Sequence, residues 1–212
     1  MQKQWIAYTC PYCGETMDLE VTLSLEASEE EKELLMSGDL FHHSCLHCQH
    51  EFLLQVPFTY MDRLRKFVLV LVQEEMLPKE MAQTGPALNQ AGFTLRHVQT
   101  IQQLVEKIQI FEDGVDDRLV ELAKYDNFIE FVDHKKGNPE EITSIEYQRM
   151  DHEVIKINIR TNDGGMSFLT PLNLIEEEYR IDQERLTIQN EVFPIVDQKW
   201  IISCYQETEG KA

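Results

Sequence analysis

Four of the chain's five cysteines fall into two pairs, Cys10-Pro-Tyr-Cys13 and Cys45-Leu-His-Cys48, which together read C-x2-C-x31-C-x2-C. Two intervening residues let one tight turn present both thiolates of a pair to a common point, and two such turns supply the four soft ligands of a tetrahedral metal site. Gly14, directly after Cys13, suits the turn, because a residue without Cβ takes positive φ while backbone amides point at sulfur. The expected cofactor is one structural Zn2+ held by Cys10, Cys13, Cys45 and Cys48. Four thiolates fill the coordination shell and leave no position for an activated water, so the motif argues against hydrolytic zinc chemistry. A thioredoxin-like dithiol needs only one pair on a βα unit, and an iron centre of the rubredoxin kind is the other competing reading.

His42, His43, His47 and His50 crowd the second pair. Imidazole is itself a good zinc ligand, but four cysteines already suffice, so these histidines are expected beside the site or at the surface. His97, His134 and His152 have no serine, cysteine or carboxylate at a telling spacing and define no catalytic set. The odd cysteine, Cys204, is expected as a half-buried thiol on a strand. An odd count dominated by paired C-x2-C suits a reducing compartment, with the cytoplasm as the default.

Composition narrows the rest. With 42% hydrophobic and 27% charged residues in 212, the chain reads as a soluble folded protein. Its longest apolar run, Phe67 to Val72, is far short of a membrane span of about 18 residues. The amino terminus offers only Ile6 and Ala7 where a signal peptide needs a sustained apolar stretch. A formal charge of −19 repels polyanions, so nucleic acid is disfavoured as a partner. The local exception, Arg63-Leu-Arg-Lys66, is accounted for by a solvated strand end.

The elements that must position the cysteines follow from pattern. Trp5 to Tyr8 reads as a strand entering the first pair, and Leu19, Val21, Leu23 and Leu25 alternate with polar residues at the strand period. Ser28 and Glu31 form a capping box for a short helix ending at Gly38. Phe52–Val56 and Phe67–Val72 read as strands, connected through Pro57 and Tyr60-Met-Asp62. The second is apolar throughout and needs cover on both faces, from this chain or another subunit. Residues 78–92, with Pro78, Gly85, Pro86 and Gly92, read as a linker or loop. From Thr94 to Ile110, apolar residues at Leu95, Val98, Ile101, Leu104, Val105 and Ile108 predict a helix. A second helix is expected from Val115, with Leu119, Leu122 and Ala123 buried, ending by Gly137-Asn-Pro139. Ile155, Ile157 and Ile159 predict a strand, Asn162-Asp-Gly-Gly165 a hairpin turn, and Thr170-Pro171 the cap and first position of a helix to about Asp182. Val192–Val196 and Trp200–Cys204 are expected as closing strands.

The resulting fold class is α+β. It comprises an N-terminal zinc-ribbon-like antiparallel β module with a short inserted helix (1–77), central helices (94–137), and C-terminal antiparallel strands with one helix (140–212). Cys10-Pro-Tyr-Cys-Gly14, Gly38-Asp-Leu-Phe41 and Val56-Pro-Phe-Thr-Tyr-Met-Asp62 resemble elements of the CpXC family, which is named for a repeated Cys-Pro-x-Cys motif. The likeness runs to about residue 125. It departs at Cys45-Leu-His-Cys-Gln49, where Leu46 and Gln49 replace the family's proline and glycine. A glutamine forced to positive φ there costs on the order of 1 kcal/mol. The resemblance implies the four cysteines as metal ligands and implies no activity.

The leading expectation is a non-enzymatic, zinc-stabilised scaffold for a protein partner or for self-association. One alternative is a nucleic-acid-binding zinc ribbon using Arg63, Arg65 and Lys66. Another is an enzyme with a hard-metal site at Asp113, Asp116 and Asp117.

Overall fold

The computed structural model describes residues 1–27, 29–74, 77, 79–188 and 191–209. The capping pair Ser28 and Glu31 involves a residue outside this set. The chain is α+β, and it divides into two compact units, one of Met1–Val105 with Val192–Pro194, the other of Glu106–Glu191 with Ile195–Ala212.

In the first unit, strands β1 (Gln2–Thr9), β2 (Thr16–Glu26), β5 (Phe58–Asp62), β6 (Phe67–Leu71) and β7 (Thr94–Val98) form one sheet in the order β1-β2-β5-β6-β7. The sheet is mixed: β2/β5 and β6/β7 are parallel, the other joints antiparallel. Helix α1 (Glu29–Ser37) follows β2 and stops at Gly38, whose φ of 82 suits a residue without Cβ. A separate ribbon pairs β3 (His42–Ser44) with β4 (Glu51–Leu53). The alternation read in β2 holds through Leu19 and Val21 and returns at Leu25, all buried; between them it breaks, with Thr22 buried and Leu23 half-buried.

Several expectations change here. Tyr60-Met-Asp62 lies inside β5, and the turn to β6 is Arg63–Lys66. The apolar β6 is buried along its whole length by this chain, so no second subunit is needed to cover it. Residues 79–90 form helix α2 (Lys79–Gln90), with Pro86 inside it, instead of a linker. Packing overrides the breakers: a Cβ on Gly85 would fall 2.1 Å from Val192 Cγ1 and 2.7 Å from Phe193 Cε2, so glycine is what lets the helix approach that segment. Leu95 to Val98, expected as the first turn of a helix, is strand β7, and helix α3 (Ile101–Glu112) begins after it. The boundary is a capping box. Gln103 N donates to Thr100 Oγ1 at 3.1 Å, while Gln103 Oε1 accepts from Gln99 N and Thr100 N at 2.8 and 3.2 Å.

In the second unit, β8 (Ile142–Arg149), β9 (Val154–Thr161) and β10 (Gly164–Pro171) form an antiparallel sheet. The β9–β10 hairpin falls where the sequence indicated, but its turn is limited to Asn162-Asp163, and Gly164 and Gly165 already belong to β10. Ile155 and Ile157, at 0% exposure, pack with Leu119, Leu122 and Ala123 of helix α4 (Asp117–Ile129). Helix α5 (Leu172–Ile181) starts one residue later than read. Pro171 is its N-cap, and Thr170 Oγ1 instead accepts from Asn127 Nδ2 at 3.0 Å.

Val192–Val196 contains no strand, and Trp200–Cys204 lies in helix α6 (Gln198–Glu209). Asp197 starts that helix by accepting from Trp200 N at 2.9 Å. Cys204 is therefore a partly buried helical thiol, packed against the core of the unit.

Half-buried Asp126 carries an Oδ2 shielded from water without a hydrogen-bond partner. Burial, with the charges of Glu178 and Asp182, pushes its carboxyl up to about 7. The folded chain then keeps a proton that the unfolded chain has lost, so stability falls as pH rises from about 4 through this value. Asp126→Asn removes that slope. Urea unfolding at pH 5 and pH 8 should show the variant gaining on the native protein at the higher pH; an unchanged difference would show that Asp126 does not titrate in this way.

Candidate metal centre

Each C-x2-C pair is the tip of a hairpin. Residues 10–15 connect β1 to β2, and residues 45–50 connect β3 to β4. The tips share one backbone design. Gly14 N donates to Cys10 O at 2.9 Å and Gln49 N to Cys45 O at 2.8 Å; Cys10 N and Cys45 N return to Glu15 O and His50 O, both at 2.9 Å. Closing each turn takes a residue with positive φ. Gly14 has φ 78 and Gln49 has φ 58, so glutamine adopts the left-handed conformation expected of it. Gln49→Gly should raise stability by up to about 1 kcal/mol, the strain relieved less the added freedom of the unfolded chain. Paired urea titrations check this, and a loss of stability would show that the glutamine side chain contributes contacts worth more than its backbone costs.

The tips bring Cys10, Cys13, Cys45 and Cys48 together, with all four Sγ atoms within 4.8 Å of one another. Cys10 Sγ stands 3.8 Å from Cys48 Sγ, and Cys13 Sγ 3.7 Å from Cys45 Sγ. Sulfurs bound at ~2.3 Å around a common centre in a tetrahedron stand about 3.8 Å apart, so the cluster has the size of a four-thiolate metal site. Cys10 and Cys45 are buried to 1% exposure, while Cys13 and Cys48 face solvent. The buried pair continues into a small apolar cluster with Met17, Leu19 and Val21. Met17 has a second role that alternation alone did not reveal: its Sδ accepts from Leu46 N at 3.5 Å and steadies the second tip.

Electrostatics divide the thiols. The Cys48 and His47 amides pull Cys45 down to about 6, against the effect of burial. At Cys13 the Glu15 amide favours the thiolate, but partial desolvation of the sulfur and bonds shared with Cys48, Cys45 and Cys10 outweigh it and push the thiol up to about 12. Cys48 is also raised: the His50 amide and Cys13 favour its thiolate, but partial desolvation of the sulfur and bonds with Cys45 and Cys10 outweigh them. One thiolate forms readily and its neighbours then resist a second charge, a conflict that a bound cation resolves.

The other candidates separate from this cluster. Among the described residues, the four cysteines are the one group of histidine, cysteine or carboxylate side chains arranged to hold a metal ion. None of His42, His43, His47 and His50 joins them; the His50 ring lies 3.3 Å from that of Tyr12, and His43 sits near Phe52. Asp113 accepts from Tyr147 Oη, Asp116 caps α4 and pairs with Arg118, and Asp117 is buried against Lys107. Arg63 pairs with Glu26, Arg65 with Asp62, and Lys66 donates to Ala91 O.

The fold and the cluster define an α+β protein whose N-terminal unit carries two cysteine knuckles facing a shared point. The chain belongs to the CpXC family: the profile described as CpXC protein matches residues 8–124. No curated protein and no solved structure matches it. Among the described residues, no helix is long and apolar enough to cross a membrane.

Proposed function

We propose that this is a non-enzymatic, cytoplasmic zinc-binding protein. A single structural Zn2+ on Cys10, Cys13, Cys45 and Cys48 staples the two hairpins into a scaffold for a protein partner or for self-association. The observation that carries the reading is the convergence of four Sγ atoms within 4.8 Å, a closed set of ligands with no vacant position for chemistry. The knuckles also present apolar side chains outward: Tyr12 is 62% exposed and Leu46 76%, while Trp5 on β1, at the edge of its sheet, is 66% exposed. Such residues favour a protein contact over a solvent-facing surface.

The nucleic-acid reading loses support from Arg63 and Arg65, whose charges are met by Glu26 and Asp62. Light scattering on freshly purified protein, with recovery of bound partners, tests the scaffold. The expected result is an assembly larger than one chain or a stoichiometric partner, weakened by Tyr12→Ser with Leu46→Ser. A strict monomer without a recoverable partner contradicts it.

A further inference from the structure

We propose that the two knuckles are also a site of oxidative modification, at which a hydroperoxide drives disulfides across the knuckles, Cys10 to Cys48 and Cys13 to Cys45. The part of this inference that concerns metal release rests on the zinc reading above; the pairing itself rests on geometry alone. The 3.8 and 3.7 Å sulfur contacts both join one hairpin to the other. Each contact matches one solvent-facing cysteine, Cys48 or Cys13, with one buried cysteine, Cys10 or Cys45. The exposed member meets the oxidant, and its buried neighbour is already in reach to resolve the product. A disulfide of ~2.05 Å needs each pair to close by less than about 2 Å, within the reach of side-chain rotation.

The chemistry balances with the peroxide as the named oxidant. The Cys13 sulfur, its proton lost to solvent, attacks one oxygen of hydrogen peroxide, the O–O bond breaks, and the second oxygen leaves as hydroxide, giving a sulfenic acid. The Cys45 thiolate then attacks that sulfur; the S–S bond forms, the S–O bond breaks, and hydroxide leaves again. Two protons from solvent convert both hydroxides to water. Two electrons have passed from the thiolate pair to the peroxide. The same steps at Cys48 and Cys10 consume a second peroxide. A shell cut to two thiolates holds zinc far more weakly, and a dithiol reductant restores all four ligands by exchange.

The test uses the full chain as purified. Zinc per chain is measured first, then hydrogen peroxide is added while free zinc is followed with a chromogenic chelator and the disulfides are mapped by fragmentation mass spectrometry. The expected result is release of the bound zinc together with Cys10–Cys48 and Cys13–Cys45 linkages, both reversed by dithiothreitol. Cys13→Ser should retain the Cys10–Cys48 linkage, and Cys204→Ser should change nothing. Linkages within a knuckle, Cys10–Cys13 or Cys45–Cys48, overturn the inference. So do Cys10–Cys45 pairing, disulfides to Cys204, or sulfinic and sulfonic acids in place of disulfides. A chain that carries no zinc but forms the two cross-knuckle bonds sinks the zinc reading and leaves the pairing standing.

Discussion

Cys45→Ser is expected to leave the protein without zinc and to lower its stability by at least about 4 kcal/mol, the range in which loss of a metal site falls. Structural zinc contributes an apparent ~10–16 kcal/mol in small zinc modules, because the site does not exist in the unfolded chain. Here the hairpin that carries Cys45 and Cys48 is short, with three residues in each of β3 and β4. Beyond its thiol, Cys45 fixes its hairpin through the bonds from Gln49 N and to His50 O. Serine keeps the backbone bonds and removes the soft ligand, so the variant separates metal ligation from turn geometry. Zinc content and urea unfolding are the measurements. A variant that retains zinc and native stability would show that the cluster is not a metal site.

Lys107→Met should destabilise the protein by about 3–5 kcal/mol, for reasons unconnected with metal. Lys107 is 2% exposed, and its Nζ lies 3.0 Å from Asp117, at 0%, and 3.1 Å from Glu121, at 2%. Burial works against its charge, but Asp117 and Glu121 outweigh that effect and hold its pKa above the ordinary lysine value. Lys124 joins the same network through Glu121 and Glu106. Removing one partner strands buried carboxylates, which costs far more than the intact network contributes. Replacing Lys107, Asp117 and Glu121 together by apolar residues of similar volume should recover most of the loss. If the single variant unfolds at the native urea concentration, the network carries no such weight.

The convergence of the four cysteines was legible in the sequence because coordination chemistry restricts both residue type and spacing, and Cys10, Cys13, Cys45 and Cys48 satisfy both. The unusual Gln49 backbone was legible for a related reason, since a C-x2-C turn needs positive φ after its second cysteine whatever residue stands there. The α+β class followed from the alternation in β2 and β9.

The boundary near Thr100 was not read, because apolar positions 95, 98, 101 and 104 keep a spacing of three across both a strand and a helix. The deciding signal was the Thr100-x-x-Gln103 box. Trp200–Cys204 failed likewise: a short apolar run is ambiguous by period, and Asp197 as N-cap held the answer. Helix α2 could not be read locally at all, since what Gly85 accommodates, Val192 and Phe193, lies over 100 residues away in the sequence.

The measurement that bears most directly on the central claim is metal analysis of the purified protein combined with X-ray absorption at the metal edge. The expected result is one zinc per chain with four sulfur neighbours at about 2.3 Å. Iron in that position, a shell containing nitrogen or oxygen, or protein that is fully folded and free of metal would contradict it.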